Sequence, residues 1–229
     1  MKILCVILSL PQYLKYETIR SVMNQTIPVD MIVLLTKKSS KLTIAERIPD
    51  LLNEGYSHIK LEDFDYILRL DGDTILKETF LERNLEGNPD LRGSGYAHLI
   101  KVKPFLELMN GRYSYIAEDA YLNAKFKQYG KDVGGLLEEP LPSGSRPFDV
   151  KYFVDRGRIM YLLGWVPLHV VMFMFRNNGK EWYKYIFAVG SYLLSFLVKP
   201  PKFDVAEFVW NYQVRSEIRH LTRFFKVLK

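Results

Sequence analysis

Apolar positions run unbroken in some stretches of this chain and recur at helical spacing in others, and the alternation between the two predicts its elements. Ile3 to Leu10 is a nearly continuous apolar run that Pro11 closes, as expected of a strand covered on both faces. Tyr16 to Gln25 then places Ile19, Val22 and Met23 on one helical face, and Thr26-Ile27-Pro28 breaks it. Met31 to Leu35 is a second apolar run, so the first 35 residues form a β-α-β unit with parallel strands and a right-handed crossover. Thr43 to Leu52 reads as a helix that Asn53-Glu54-Gly55 stops. Tyr66 to Leu70 is a third strand, interrupted only by Arg69. A helix is expected over Lys77 to Leu85, closed by Gly87-Asn88-Pro89. Arg92 to Val102 alternates weakly, as a strand, and Ile116 to Tyr129 is a helix ending at Gly130.

The last third changes character. Ile159 to Phe175 is 17 residues almost without charge, and Tyr185 to Val198 adds 14 after the polar stretch 176–181. Both fall short of the roughly 20 apolar residues that span a bilayer. Val205 to Leu228 is amphipathic, with Arg215, Arg219, Arg223 and Lys226 on one stripe that suits either solvent or an anionic membrane surface. The pattern predicts an α/β domain over residues 1–150 and a helical C-terminal segment over 151–229.

Composition narrows the class. With 48% apolar and 25% charged residues in 229, the chain is a folded protein rather than a disordered one. A net charge of +6 and a pI near 9.2 imply an anionic partner: nucleic acid, lipid headgroups or a phosphorylated substrate. No nucleic-acid motif appears, and the last helix lacks the aromatic platform that stacks single strands, so nucleic acid is not the expected partner. The lone cysteine, Cys5, lies inside the first strand and suits a reducing, cytoplasmic compartment. The first eight residues carry one basic residue and no small-residue cleavage site, which reads as a strand and not a signal peptide.

The chemistry concentrates where the third strand runs into Asp71-Gly72-Asp73. In open α/β sheets ligands bind beyond the carboxyl ends of strands, so this pair falls where a site belongs. Two carboxylates this close repel unless a cation intervenes, and a hard divalent ion that keeps positions for water and phosphate satisfies both. An ordinary solvated Asp-Gly turn is the competing reading. The four histidines, His58, His98, His169 and His220, have no ligand spacing with one another.

Three segments in order resemble family 2 glycosyltransferases of the GT-A fold. Ser21 to Pro28 resembles that family's S-x-x-x-Q-T-x-P helix end, Asp65 to Thr74 its strand ending in D-x-D, and Ala117-Glu118-Asp119 its E-D motif opening a helix. The separations, about 45 residues from Gln-Thr to Asp-x-Asp and about 45 more to Glu-Asp, are more specific than any one motif. The resemblance covers roughly residues 1 to 135, and Arg156-Gly157-Arg158 to Gly164 looks like a looser family feature. It implies a Rossmann-like, mostly parallel sheet flanked by helices, and an inverting transfer of sugar from a nucleotide-diphosphate donor to a glycan or lipid-linked acceptor. It also implies Mg²⁺ or Mn²⁺ held by Asp73, Asp71 toward the donor ribose or a metal-bound water, Asp119 as general base, and Glu118 orienting the acceptor or tuning its neighbour. Pro11 and Tyr13 occupy positions that line the family's nucleotide pocket.

One departure stands out. Where the family commonly ends its second strand with an acidic pair that contacts the base, this chain reads Thr36-Lys37-Lys38-Ser39. Lys37 and Lys38 can approach phosphates or form a solvated loop. A nucleotidyltransferase on a similar sheet and a non-catalytic binding or scaffold protein both remain open on the sequence. An enzyme peripheral to the cytoplasmic face of a membrane is the expected setting.

Overall fold

The computed structural model describes residues 1–41, 43–141, 150–176, 183 and 185–227, apart from the side chains of 94, 174–176 and 217–227. The chain forms two compact units, Met1–Arg146 and Pro147–Lys229.

The first unit is a six-stranded sheet: β1 (Ile3–Leu8), β2 (Met31–Leu35), β3 (Tyr66–Asp71), β4 (Leu91–Ser94), β5 (Ala97–Lys101) and β6 (Val133–Gly134). Its order is β2-β1-β3-β5-β4-β6. β2, β1 and β3 are parallel, β5 runs antiparallel to β3 and β4, and β6 lies parallel to β4. Among the described residues five α-helices cover it: α1 (Tyr16–Met23), α2 (Ile44–Tyr56), α3 (Phe80–Asn84), α4 (Val102–Met109) and α5 (Glu118–Gln128).

Alternate residues of each strand point to opposite faces. Leu4, Val6, Leu8 and Ile67 therefore bury against Leu52 and Tyr56 of α2, Phe105 of α4, and Leu122 and Phe126 of α5. Ile3, Cys5, Ile7, Leu68 and Leu70 bury against Val22 of α1 and Phe80 and Leu81 of α3. With both faces covered, β1 is buried at every position, which is why it reads as an unbroken apolar run.

Four details differ from the sequence expectation. α2 runs through Asn53-Glu54-Gly55 to Tyr56, because Gly55 lets the helix press onto Leu35, whose Cδ2 would lie 2.6 Å from an added Cβ. Arg92 to Val102 is not one strand: β4 and β5 form a hairpin turning at Gly95, which sits at φ +64°. α3 is only Phe80–Asn84, since the segment before it is tied to α1 instead of winding. Met23 faces solvent, and Thr18 takes the buried place because its hydroxyl donates to the Gly72 carbonyl.

The second unit holds α6 (Val150–Leu162), α7 (Pro167–Arg176), α8 (Ile186–Val198) and α9 (Ala206–Val227). The apolar run 159–175 is thus two helices. Gly164, at φ +75°, ends the first against Ala206, and Pro167 opens the second. Gly157 brings α6 so close to α8 that an added Cβ would stand 1.9 Å from the Ala188 carbonyl oxygen. The α9 backbone follows the expected amphipathic span, while the side chains of Arg219, Arg223 and Lys226 lie outside the described residues. Among the described residues no helix is long and apolar enough to cross a membrane.

Candidate active site

The carboxyl ends of the three parallel strands are level: Leu8 of β1 is in register with both Leu35 of β2 and Asp71 of β3. Beyond that edge the Asp71-Gly72-Asp73 turn is pinned from several sides. The Gly72 N–H donates to the Leu8 carbonyl at 2.8 Å, and the Gly72 carbonyl accepts from the Lys15 N–H at 2.9 Å and the Thr18 hydroxyl at 3.0 Å. An added Cβ at Gly72 would sit 2.3 Å from the Ser9 Cβ. Glycine is therefore required by close approach, and this is a held turn rather than a solvated one.

The segment after the turn is stitched to α1 by the Gln-Thr motif. The Gln25 side chain donates to the Ser21 and Lys77 carbonyls and accepts from the Leu81 N–H, while the Thr26 N–H donates to the Glu78 carbonyl. Ser21 Oγ accepts from the Leu76 N–H. These side chains position the loop that carries the aspartates.

Arg69 is the centre of the site. It sits two residues before Asp71 on the same strand face, is buried, and places Nη2 3.1 Å from Asp71 Oδ1 and 3.8 Å from Glu118 Oε1. The two carboxylate motifs, far apart in sequence, thus meet on one guanidinium. Burial opposes its charge, and Asp71 and Glu118 more than compensate, holding its pKa above the ordinary value. Across the sheet Arg69 is in register with His98 of β5. His98 is fully buried, and its pKa is lowered to about 4, chiefly by desolvation and further by Arg69, so its ring is neutral at pH 7.

Glu118 and Asp119 open α5. The preceding Ala117 is left-handed, at φ 59°, an uncommon conformation for a residue with a Cβ and one that costs roughly 1–3 kcal/mol. Burial pushes the Glu118 carboxyl up to about 7, helped by the Asp119 charge and opposed by Arg69. Asp119 is half-buried and oriented by two backbone donors: Gly95 N–H of the β4–β5 turn to Oδ2 at 3.1 Å, and Ala120 N–H to Oδ1 at 2.6 Å.

Asp73 is half-exposed on the pinned turn. Pro11 and Tyr13 form a 3₁₀ turn just past β1, at the same sheet edge, with Tyr13 65% exposed and its ring open to a ligand. Lys37 pairs with Glu54 of α2 at 2.6 Å, both exposed, and Ser39 donates to Asp50, so the end of β2 is tied down along α2. Asp71, Glu118 and Asp119 are brought together around Arg69, and Asp73, Pro11 and Tyr13 lie at the same sheet edge. Sequence reasoning missed the parts of Arg69 and His98. The available signal was the i, i+2 spacing of Arg69 and Asp71, which puts both on one strand face.

No family model and no curated sequence matches the chain. Solved structures do. Glucosyl-3-phosphoglycerate synthase from Mycobacterium tuberculosis in complex with Mn²⁺, uridine diphosphate and phosphoglyceric acid superposes with a TM-score of 0.52 at 15% identity, covering 71% of this chain and 77% of that one. The same enzyme with Mg²⁺ and uridine diphosphate gives 0.50 at 14%, over 71% and 78%. With Mn²⁺, uridine-diphosphate-glucose and phosphoglyceric acid it again gives 0.50 at 14%, over 71% and 78%. The chain has the α/β GT-A fold, with its sheet flanked by helices.

Proposed function

We propose that this protein is a metal-dependent, inverting family 2 glycosyltransferase that moves a hexose from a nucleotide-diphosphate donor to the hydroxyl of a glycan or lipid-linked acceptor. The observation that carries the reading is the convergence of Asp71 and Glu118 on Arg69, with Asp119 beside them, at the edge of a GT-A sheet. A solvated turn and an incidental helix start would have no reason to share one buried cation.

Mg²⁺ or Mn²⁺ suits the donor set. Among the described residues no group of three or more His, Cys, Asp or Glu could hold an ion, so Asp73, with Asp71 directly or through water, would supply one or two oxygens and leave the rest to diphosphate and water. That is how Mg²⁺ is ordinarily held at phosphate sites. When bound, the ion supplies Lewis-acid neutralisation of the departing diphosphate.

The chain's own residues do the rest. Arg69 takes one oxygen of Asp71 and so fixes which way the other faces. Tyr13, with Pro11, offers a ring on which a base can stack. Asp119, held by Gly95 and Ala120, takes the proton from the acceptor hydroxyl as that oxygen attacks the anomeric carbon from the face opposite the diphosphate. Glu118 and Arg69, buried behind Asp119, hold its helix start in place. The neutral His98 adds no charge to compete for Asp71.

The test is nucleoside diphosphate release from a panel of nucleotide sugars with Mn²⁺, compared between wild type and Asp119→Asn. Asparagine keeps the shape and cannot take the proton, so donor affinity should survive while turnover falls by about 10²-fold or more. Normal turnover in the variant would remove Asp119 from the role. Release of sugar phosphate from the nucleotide sugar, or of pyrophosphate when a nucleoside triphosphate and a sugar phosphate are supplied instead, would indicate nucleotidyl transfer.

A further inference from the structure

Helix α8 faces the wrong way for a helix in water. Its inward residues are Ala188, Tyr192 and Ser195, all buried, while Ile186, Phe187, Leu193, Leu194, Leu197 and Val198 are exposed along one face. Leu197 is 79% and Val198 70% exposed. The orientation is fixed from inside: Gly157 admits the Ala188 carbonyl at a distance no larger residue allows, and the Tyr192 hydroxyl donates to the Trp165 carbonyl at 2.6 Å. Rotating the helix to hide its leucines would break both contacts. A continuous apolar face of this kind marks a surface that something covers.

The charge around it says what. Residues 147–229 hold thirteen Lys and Arg against six Asp and Glu, a net charge of +7 that exceeds the chain's +6 and leaves residues 1–146 at −1. Exposed Lys199 follows the last turn of α8, and Lys202, also exposed, stands 5.0 Å over the Tyr161 ring. At 13 residues α8 is about 20 Å long, short of the roughly 30 Å of bilayer hydrocarbon. The geometry points to α8 as an in-plane membrane anchor, its apolar face sunk to the headgroup–acyl boundary of an anionic bilayer and its lysines against lipid phosphates. This inference does not rest on the catalytic reading, since it uses no residue of the first unit.

The experiment is sedimentation of the full chain with vesicles of phosphatidylglycerol and phosphatidylcholine, against phosphatidylcholine alone, at low and high salt. Wild type should bind the anionic vesicles more tightly than the neutral ones and lose most of that preference at high salt, because headgroup attraction is screened over about 8 Å at physiological ionic strength. Leu194→Glu with Leu197→Glu should weaken binding by roughly tenfold or more, given the apolar area withdrawn. Both sites are exposed, and an unchanged circular dichroism melt checks the fold. If that variant fails to fold, Leu197→Ala with Val198→Ala should still weaken binding several-fold. No binding at low salt, equal binding to the two vesicle types, or full binding by a folded variant would overturn the proposal. So would a dimer in solution that the variant converts to monomer with no vesicle binding in either form, because a second copy would then be what covers the face.

Discussion

At the residue scale, the site is a buried electrostatic cluster, within which Glu118 and His98 pull stability in opposite directions with pH. Glu118 has its carboxyl raised from 4.5 to about 7, so the stability tied to its protonated form is full below pH ~4.5 and is lost as pH rises through ~7. His98 has its imidazole lowered from 6.5 to about 4; the stability tied to its neutral form is full above pH ~6.5 and is lost as pH falls through ~4. Over the shared window the two slopes offset each other. Urea unfolding across pH 4 to 7 should therefore show stability rising more steeply with pH in Glu118→Gln, which leaves the His98 slope unopposed, than in His98→Asn, which leaves the Glu118 slope unopposed. Identical profiles in the two variants would mean that the cluster is not coupled through burial. The acidic motifs themselves were legible in the sequence because carboxylates at a strand end and a helix start stand out against apolar neighbours. The part played by Arg69 was not, because nothing in a linear pattern says that Glu118 will fold back onto it. His98 was hidden for the same reason: its partner is set by antiparallel register with a strand the sequence signalled only weakly.

At the element scale, the strands that are covered on both faces and the helices of ordinary length were readable from periodicity alone, while several departures came from glycines and the shortening of α3 came from the Ser21 and Gln25 side chains that hold the segment before it. Gly55 looked like a stop and is instead a point of close approach inside α2. Gly95 hid a hairpin inside what looked like one strand, and Gly164 divides an apolar run that hydropathy alone would join. Gly55 and Gly164 mark close approaches made across the fold and Gly95 a left-handed turn, none of which the apolar pattern carries. Gly157 gives the sharpest test, since an added Cβ there meets backbone, the Ala188 carbonyl, rather than a side chain that can move aside. Gly157→Ala should destabilise the second unit by about 1–3 kcal/mol, the usual range for overpacking. All three tryptophans, Trp165, Trp182 and Trp210, lie in residues 147–229, so the denaturation midpoint followed by tryptophan fluorescence reports that unit. An unchanged midpoint would mean that the two helices separate there at no cost.

At the scale of the whole molecule, chemistry and charge are divided between the two units. Unit 1 carries the carboxylate cluster on a GT-A sheet, and residues 147–229 carry the positive charge and the outward apolar helix. The division was partly legible in the sequence, where the apolar runs lengthen after residue 150, but the inside-out orientation of α8 was not, because it depends on the α6 crossing at Gly157. The central claim, that the pinned Asp71-Gly72-Asp73 turn binds a nucleotide-diphosphate donor with a divalent ion, is tested most directly by thermal unfolding of wild type and Asp73→Asn with nucleotide sugars, with and without Mn²⁺. A donor at about 100 times its Kd adds about 2.7 kcal/mol to the native state, a midpoint shift of roughly 5–10 °C for a chain of this size. At least one nucleotide sugar should raise the wild-type midpoint by about that much only when Mn²⁺ is present, and Asp73→Asn should lose the shift while keeping its ligand-free midpoint. An equal Mn²⁺-dependent shift in Asp73→Asn, or no shift in wild type with any donor, would contradict the assignment.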